Sequence, residues 1–214
     1  MKVFFTQKKL KINPILKKGF TIIELIVSTA IIGLIASIVV FNQGDFTDVI
    51  FLSNTAHNLA LETRKAQIYG FATKEFLRAK SFTISYGVEF NVTNESTGGD
   101  NTVYTSFADS GAQNGYYDSP GTCSISECLM VNRIGRGNVI SKLCALDSSG
   151  TCTQVGRISV TFKRPNADAN ILFFDASNAP VLATGFQSGS IEITSPKGKK
   201  KTIVVYNSGQ IAVQ

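Results

Sequence analysis

From Phe20 to Phe41 run 22 residues with a single charged side chain, Glu24. A carboxylate in an apolar segment is costly: insertion of Asp at a helix centre costs ~2.5–3.5 kcal/mol, and less near an end. Glu24 therefore calls for a counter-charge. The other residues able to do chemistry are few. Cys123, Cys128, Cys144 and Cys152 are the four cysteines, His57 is the sole histidine, and Lys197, Lys199, Lys200 and Lys201 form a basic run. No Cys/His pair lies close in sequence, no glycine-rich phosphate loop appears, and the scattered acids have no catalytic spacing. These residues do not describe an enzyme, and they call for no cofactor and no metal.

The element that must position Glu24 is a helix. At 1.5 Å per residue, 22 residues span roughly 33 Å, enough to cross a hydrocarbon core of ~30 Å. Lys2, Lys8, Lys9, Lys11, Lys17 and Lys18 precede it, and residues 1–19 carry no acid. Positive charge before a membrane segment holds that end in the cytoplasm, so everything after Phe41 is expected outside. A cleaved secretory signal would have an apolar core of about 7–15 residues and a small-x-small site; this run is longer, and Val39–Gln43 has no such site. The 15 Lys and Arg beyond the leader meet 15 Asp and Glu, so the basic balance of the whole chain reports the leader alone.

The stretch Lys18-Gly19-Phe20-Thr21-Ile22-Ile23-Glu24-Leu25-Ile26-Val27 resembles the signal of type IV pilins and type II secretion pseudopilins. The resemblance implies cleavage by a prepilin peptidase between Gly19 and Phe20 and N-methylation of Phe20. It makes Glu24 the fifth mature residue, the assembly glutamate. Removing 19 residues from 214 leaves 195. Cleavage would leave an ammonium at Phe20 in the apolar phase, and Glu24 of one subunit could neutralise the Phe20 amine of a neighbour. Small residues at Ser28, Thr29, Ala30, Gly33, Ala36 and Ser37 would let such helices approach closely.

The expected layout is a leader over 1–19, a transmembrane and assembly helix over 20–41, its amphipathic continuation over 42–70, and an exported β-rich domain over 71–214. The continuation rests on Phe46, Val49, Ile50, Leu52, Ala56, Leu59, Ala60, Ala66 and Ile68 at helical spacing, ending near Gly70. Gly44 is the expected weak point for bending, since the proline found in many pilins is missing. His57 lies among polar neighbours and is expected to be solvated.

Strands are expected at Phe82–Phe90, Thr102–Phe107, Arg157–Phe162, Asn170–Phe174, Ser190–Thr194, Thr202–Tyr206 and Gln210–Val213, the last third as an antiparallel meander. Residues 91–101 read as a turn cluster and Asp109–Gly121 as an exposed loop. Even cysteine numbers on the outward side indicate disulfides. Three connectivities exist; local pairing, Cys123–Cys128 and Cys144–Cys152, is favoured. Rings of six to nine residues would contribute roughly 2–3 kcal/mol. The spacings C-x4-C and C-x7-C, without a nearby histidine, suit zinc poorly.

The fold class expected is α+β and pilin-like, a long helix packed on an antiparallel sheet. The ending Thr202-Ile-Val-Val-Tyr-Asn-Ser-Gly-Gln-Ile-Ala-Val213 resembles the C-terminal strands of GspH/FimT-type minor pseudopilins. The function implied is a structural subunit, minor pilin or pseudopilin, of a type IV pilus or type II secretion filament. Its partners would be the prepilin peptidase, other pilin subunits and an inner-membrane assembly platform. The alternative is a filament-tip subunit contacting DNA or surfaces through Lys197, Lys199, Lys200 and Lys201; a solvated hairpin turn is the simpler account of those lysines, since no aromatic platform adjoins them.

Overall fold

The computed structural model describes residues 19–72 (without the side chains of 41–45), 83–92, 100–118, 123, 127–181 and 185–214. Leader residues 1–18, with Lys17 and Lys18, the start of the first expected strand at Phe82, and the turn residues 93–99 lie outside the described residues. The chain divides into two compact units, Met1–Gln43 and Gly44–Gln214.

One helix, α1 (Ile22–Phe71), contributes to both units. In the first unit its residues Ile22–Val40 are long and apolar enough to cross a membrane, and none is buried within the chain. The hydroxyls in this stretch bond within the helix. Ser28 Oγ donates to the Glu24 carbonyl at 2.7 Å, Thr29 Oγ1 to that of Ile26 at 3.0 Å, and Ser37 Oγ to that of Leu34 at 2.7 Å. Such bonds remove the polar cost of hydroxyls in an apolar medium.

Among the described residues of the second unit, α1 is joined by ten strands. In chain order these are β1 (Ser85–Asn91), β2 (Val103–Asp109), β3 (Cys128–Arg133), β4 (Val139–Leu146), β5 (Cys152–Val155), β6 (Arg157–Phe162), β7 (Ala169–Phe174), β8 (Ser188–Thr194), β9 (Lys200–Tyr206) and β10 (Ile211–Val213). They form two five-stranded sheets, ordered β3-β2-β1-β6-β7 and β10-β9-β8-β4-β5, with every pairing antiparallel. The fold is α+β and pilin-like.

The last third is therefore not one meander. β6 and β7 belong to the first sheet and β8, β9 and β10 to the second. Gly156 is where the chain passes from β5 of the second sheet to β6 of the first. Its N–H donates to the Phe174 carbonyl at 2.8 Å, its carbonyl accepts from Val92 N–H at 3.0 Å, and a Cβ there would lie 2.6 Å from the Asp175 carbonyl oxygen. Only glycine lets the backbones approach this closely.

One core is shared by the helix and both sheets. Leu52, Ala56, Leu59 and Ala66 of α1 meet Phe90, Ile158 and Phe162 of the first sheet and Leu143, Ile191 and Val205 of the second. The helix spacing is i, i+4, i+7, i+14, a single stripe. Much of the expected stripe lies elsewhere: Phe46, Val49, Ile50 and Ile68 are exposed, while Thr63 and Gln67 are buried. Polar residues are tolerated because their bonds are made. Thr63 Oγ1 donates to the Leu59 carbonyl at 2.9 Å, and Gln67 Nε2 to the Gly209 carbonyl at 2.9 Å. Gly70 has a role other than a helix cap. A Cβ on it would lie 2.5 Å from the Phe162 carbonyl oxygen, so it marks close helix-to-sheet contact.

Three strands around the cysteines, β3, β4 and β5, are absent from the sequence reading. The region 109–121 is also not simply exposed: Gly115 and Tyr117 are buried, with Tyr117 packed on Phe107 at 5.7 Å. Leu59→Ala is expected to cost the second unit about 2–5 kcal/mol, the range for a buried leucine. Chemical denaturation followed by circular dichroism measures it.

Candidate functional site

The local structure around the Gly19–Phe20 bond follows from the residues beside it. Gly19 and Phe20 precede the helix and are exposed, and a Cβ on Gly19 would meet nothing within 4 Å. The fold itself makes no demand for glycine there. Thr21 is the helix N-cap: its Oγ1 accepts from Glu24 N–H at 3.3 Å and its carbonyl from Leu25 N–H at 3.1 Å. Thr-x-x-Glu is the sequence of a capping box, and the signal was present in the residues though the sequence reading did not use it. Glu24 therefore sits in the first turn of α1, where the helix dipole favours an anion. The scissile bond of the expected cleavage lies just outside this cap, on accessible chain.

Residues 16–40 match the family described as the prokaryotic N-terminal methylation motif. The chain carries a pilin-type methylation signal. This signal implies processing by prepilin peptidase and assembly with other pilins. Together with a helix apolar enough to span, it is the arrangement of an inner-membrane prepilin. Pilins as a class are non-enzymatic structural proteins. No curated protein and no solved structure matches the chain.

The remaining residues singled out by sequence fall at separate places in the second unit. Disulfides join Cys123 to Cys128 and Cys144 to Cys152, each with Cα atoms 5.2 Å apart. The second ties β4 to β5. Among the described residues no group of His, Cys, Asp or Glu could hold a metal ion, and His57 is exposed. Lys197, Lys199, Lys200 and Lys201 sit on the β8–β9 turn and the start of β9. Lys200 Nζ is paired with Glu192 Oε1 at 3.0 Å, which takes one of the four charges. The turn is tied to the helix by Ser195 Oγ, which donates to Asp48 Oδ2 at 2.5 Å.

A cluster of buried charge lies in the first sheet, and the sequence reading missed it. Arg157 Nη1 donates to Glu89 Oε2 at 3.2 Å and to the Tyr117 carbonyl at 3.3 Å. Both side chains are almost wholly buried. The guanidinium carbon lies 3.8 Å from the centre of the Phe174 ring. Two further buried acids hold the 110–118 loop against the sheet. Asp109 Oδ2 accepts from Gly115 N–H at 2.8 Å and Ser85 Oγ at 3.1 Å. Glu127 accepts from Gly111 N–H at 2.8 Å and Asp118 N–H at 3.3 Å. The only sequence hints were a lone acid between Val88 and Phe90 and an arginine opening a strand.

Burial pushes the Glu89 carboxyl from its ordinary 4.5 up to about 7, against the opposing pull of Arg157 and the Asn91 hydrogen bond. The folded chain then holds a proton that the unfolded chain releases. Glu89 thus favours folding most below about pH 4.5, and this contribution is lost as pH rises through about 7. Thermal melts of the full chain in detergent at pH 5 and pH 8 should show it. The wild type is expected to lose more stability toward pH 8 than Glu89→Gln, which keeps a hydrogen-bonding group and cannot titrate. Equal pH dependence would show that Glu89 does not carry it.

Proposed function

We propose that this chain is a structural subunit, a minor pilin or pseudopilin of a type IV pilus or type II secretion filament. The C-terminal strands support the GspH/FimT type that their sequence resembles. The observation that carries the reading is the signal itself. It has an accessible Gly19–Phe20 bond, a helix capped immediately after it by Thr21, and one acid in the first turn of an otherwise apolar span. Prepilin peptidase cuts after Gly19 and methylates Phe20, with the leader cytoplasmic and the β-rich domain outside. Glu24 then pairs with the Phe20 amine of a neighbouring subunit. Each charge alone would face the cost of desolvation; as a pair they set the register of helix packing.

A second observation supports assembly along α1. Phe46, Ile50, Leu61 and Ile68 are exposed apolar residues. At 100° per residue they fall within roughly 60° of helix surface, on the side opposite Leu52, Ala56, Leu59 and Ala66. The helix thus has one apolar face for its own sheets and a second left uncovered in the isolated chain. In a filament the second face is covered by neighbouring subunits.

The decisive experiment is mass spectrometry of the N-terminal peptide from membranes and from sheared filaments. A peptide beginning with methylated Phe20 is expected in both. Glu24→Gln is expected to be cleaved and folded as wild type yet lost from the sheared fraction by about ten-fold or more, as expected if an interaction worth about 1.4 kcal/mol or more per contact is removed. A chain beginning at Met1 beside an active peptidase overturns the processing. Normal incorporation of Glu24→Gln overturns the register role.

A further inference from the structure

The basic run at the β8–β9 turn has a neighbour that its place in the chain does not show. That turn and the loop from β3 to β4 lie at one end of the second sheet, because Val139 pairs with Thr194 and Thr194 with Lys200. The two segments touch: a Cβ on Gly137 would lie 2.9 Å from Pro196 Cγ. Arg136, beside that glycine, is exposed, with its guanidinium carbon 3.5 Å from the centre of the Phe51 ring. Both segments are also fixed to α1. Ser195 Oγ donates to Asp48 Oδ2, and Asn138 Nδ2 donates to Thr55 Oγ1 at 3.1 Å.

The segments 46–55, 134–138 and 192–201 together hold five cations, Arg136, Lys197, Lys199, Lys200 and Lys201, and two acids, Asp48 and Glu192. Glu192 is taken by Lys200 at 3.0 Å, and Asp48 receives the Ser195 hydroxyl. The excess charge is therefore positive, and Lys197 and Lys199 are exposed.

Chain length limits how far this surface can lie from the apolar span. Val40 closes the span, and Asp48 follows eight residues later. A helix of eight residues rises about 12 Å, and even a fully extended chain reaches no more than about 29 Å. This bound holds at any angle between the two units. Lysine and arginine carry their charge on long stems, which shortens the gap. Attraction to an anionic surface extends over about 8 Å at physiological salt, a distance of the same order.

We propose that Arg136, Lys197, Lys199 and Lys201 form one basic surface that rests on anionic lipid headgroups while Ile22–Val40 spans the membrane, before the subunit enters a filament. The inference rests on the reading of that segment as a membrane span and makes no use of Glu24 or the Phe20 amine. Each basic residue beside a span strengthens contact with anionic lipid about five-fold. The tether makes lipid an intramolecular partner, whereas a nucleic acid must be recruited from solution.

The test uses the full chain in nanodiscs of phosphatidylcholine, alone or with one-third phosphatidylglycerol. Co-elution with the discs is checked first. Lysines are then acylated briefly with an uncharged reagent and read by mass spectrometry. Lys197 and Lys199 are expected to react about five-fold or more slowly in the anionic discs, and high salt to remove the difference. Lys163 is the internal reference. It follows Phe162, whose carbonyl abuts Gly70 near the other end of α1, and its rate is expected to be the same in both discs. Lys199→Gln/Lys201→Gln, with wild-type circular dichroism, is expected to bring the ratio at Lys197 to within about two-fold of unity.

The proposal is overturned if Lys197 and Lys199 react alike in the two discs, if Lys163 slows as much as they do, or if the double variant keeps the wild-type ratio at Lys197. It is also overturned if mixed-sequence duplex DNA at equal phosphate concentration protects these lysines more than the anionic discs do, which would make the surface a nucleic-acid site. A chain that does not co-elute removes the membrane span and this inference with it. A co-eluting chain without protection removes this inference alone.

Discussion

Leu52, Ala56, Leu59 and Ala66 present one face of α1 to a core that two sheets also share. Residues of the helix and of both sheets form one contiguous buried cluster. The demands on the rest of the fold follow. The chain must pass from the second sheet to the first between β5 and β6, and Gly156 permits the close backbone contact at that passage. α1 must lie near β6, and Gly70 permits that contact where a Cβ would strike the Phe162 carbonyl. Polar residues that fall on the buried face, Thr63 and Gln67, are accepted because each finds a carbonyl.

Buried charge on β1, β2 and β6, with Glu127 just before β3, organises the first sheet and the loop against it. Asp109 and Glu127 use their oxygens on backbone N–H groups of the 110–118 loop, which draws Tyr117 inward onto Phe107. Arg157 then holds the Tyr117 carbonyl and Glu89 at once. A loop that could be dispensable surface becomes a wall of the domain. Such an arrangement is high in cost when incomplete, since an unpaired buried polar group in low dielectric loses its hydration without compensation.

The N-terminal unit obeys different physics. Its residues from Ile22 to Val40 are exposed in the isolated chain and apolar throughout except for Glu24 and hydroxyls bonded back to the helix. Water is the wrong solvent for such a surface, and lipid or other helices are the right one. Thr21 starts the helix directly after Phe20, so the acid and the prospective new amine lie within one turn of each other along the chain. The same apolar character returns on the outer face of α1 in the second unit, at Phe46, Ile50, Leu61 and Ile68.

The amino-acid sequence by itself determined the features that depend on near neighbours. The methylation signal is contiguous, from Lys18 through Glu24 and into the apolar run. The helix, read as about Phe20 to Tyr69, is observed as Ile22–Phe71. β6, β8 and β9 were legible because β-branched residues are flanked by clear turns. Local pairing of the cysteines needed only short loops. Tertiary structure decided what depends on distant partners. Which apolar residues of α1 are buried was not readable, because both of its faces carry them and periodicity cannot say which one meets a sheet. β4 was obscured by a register shift between Ile140 and Lys142 that breaks its alternation. β3 was obscured by its place at a sheet edge, where apolar Leu129, Met130 and Val131 stay exposed. The pairing of Glu89 with Arg157, 68 residues apart, exists only because β1 and β6 lie side by side. No local pattern encodes such a contact, since it is the closing of the long loop between the strands, set by the shared core, that brings the two charges together.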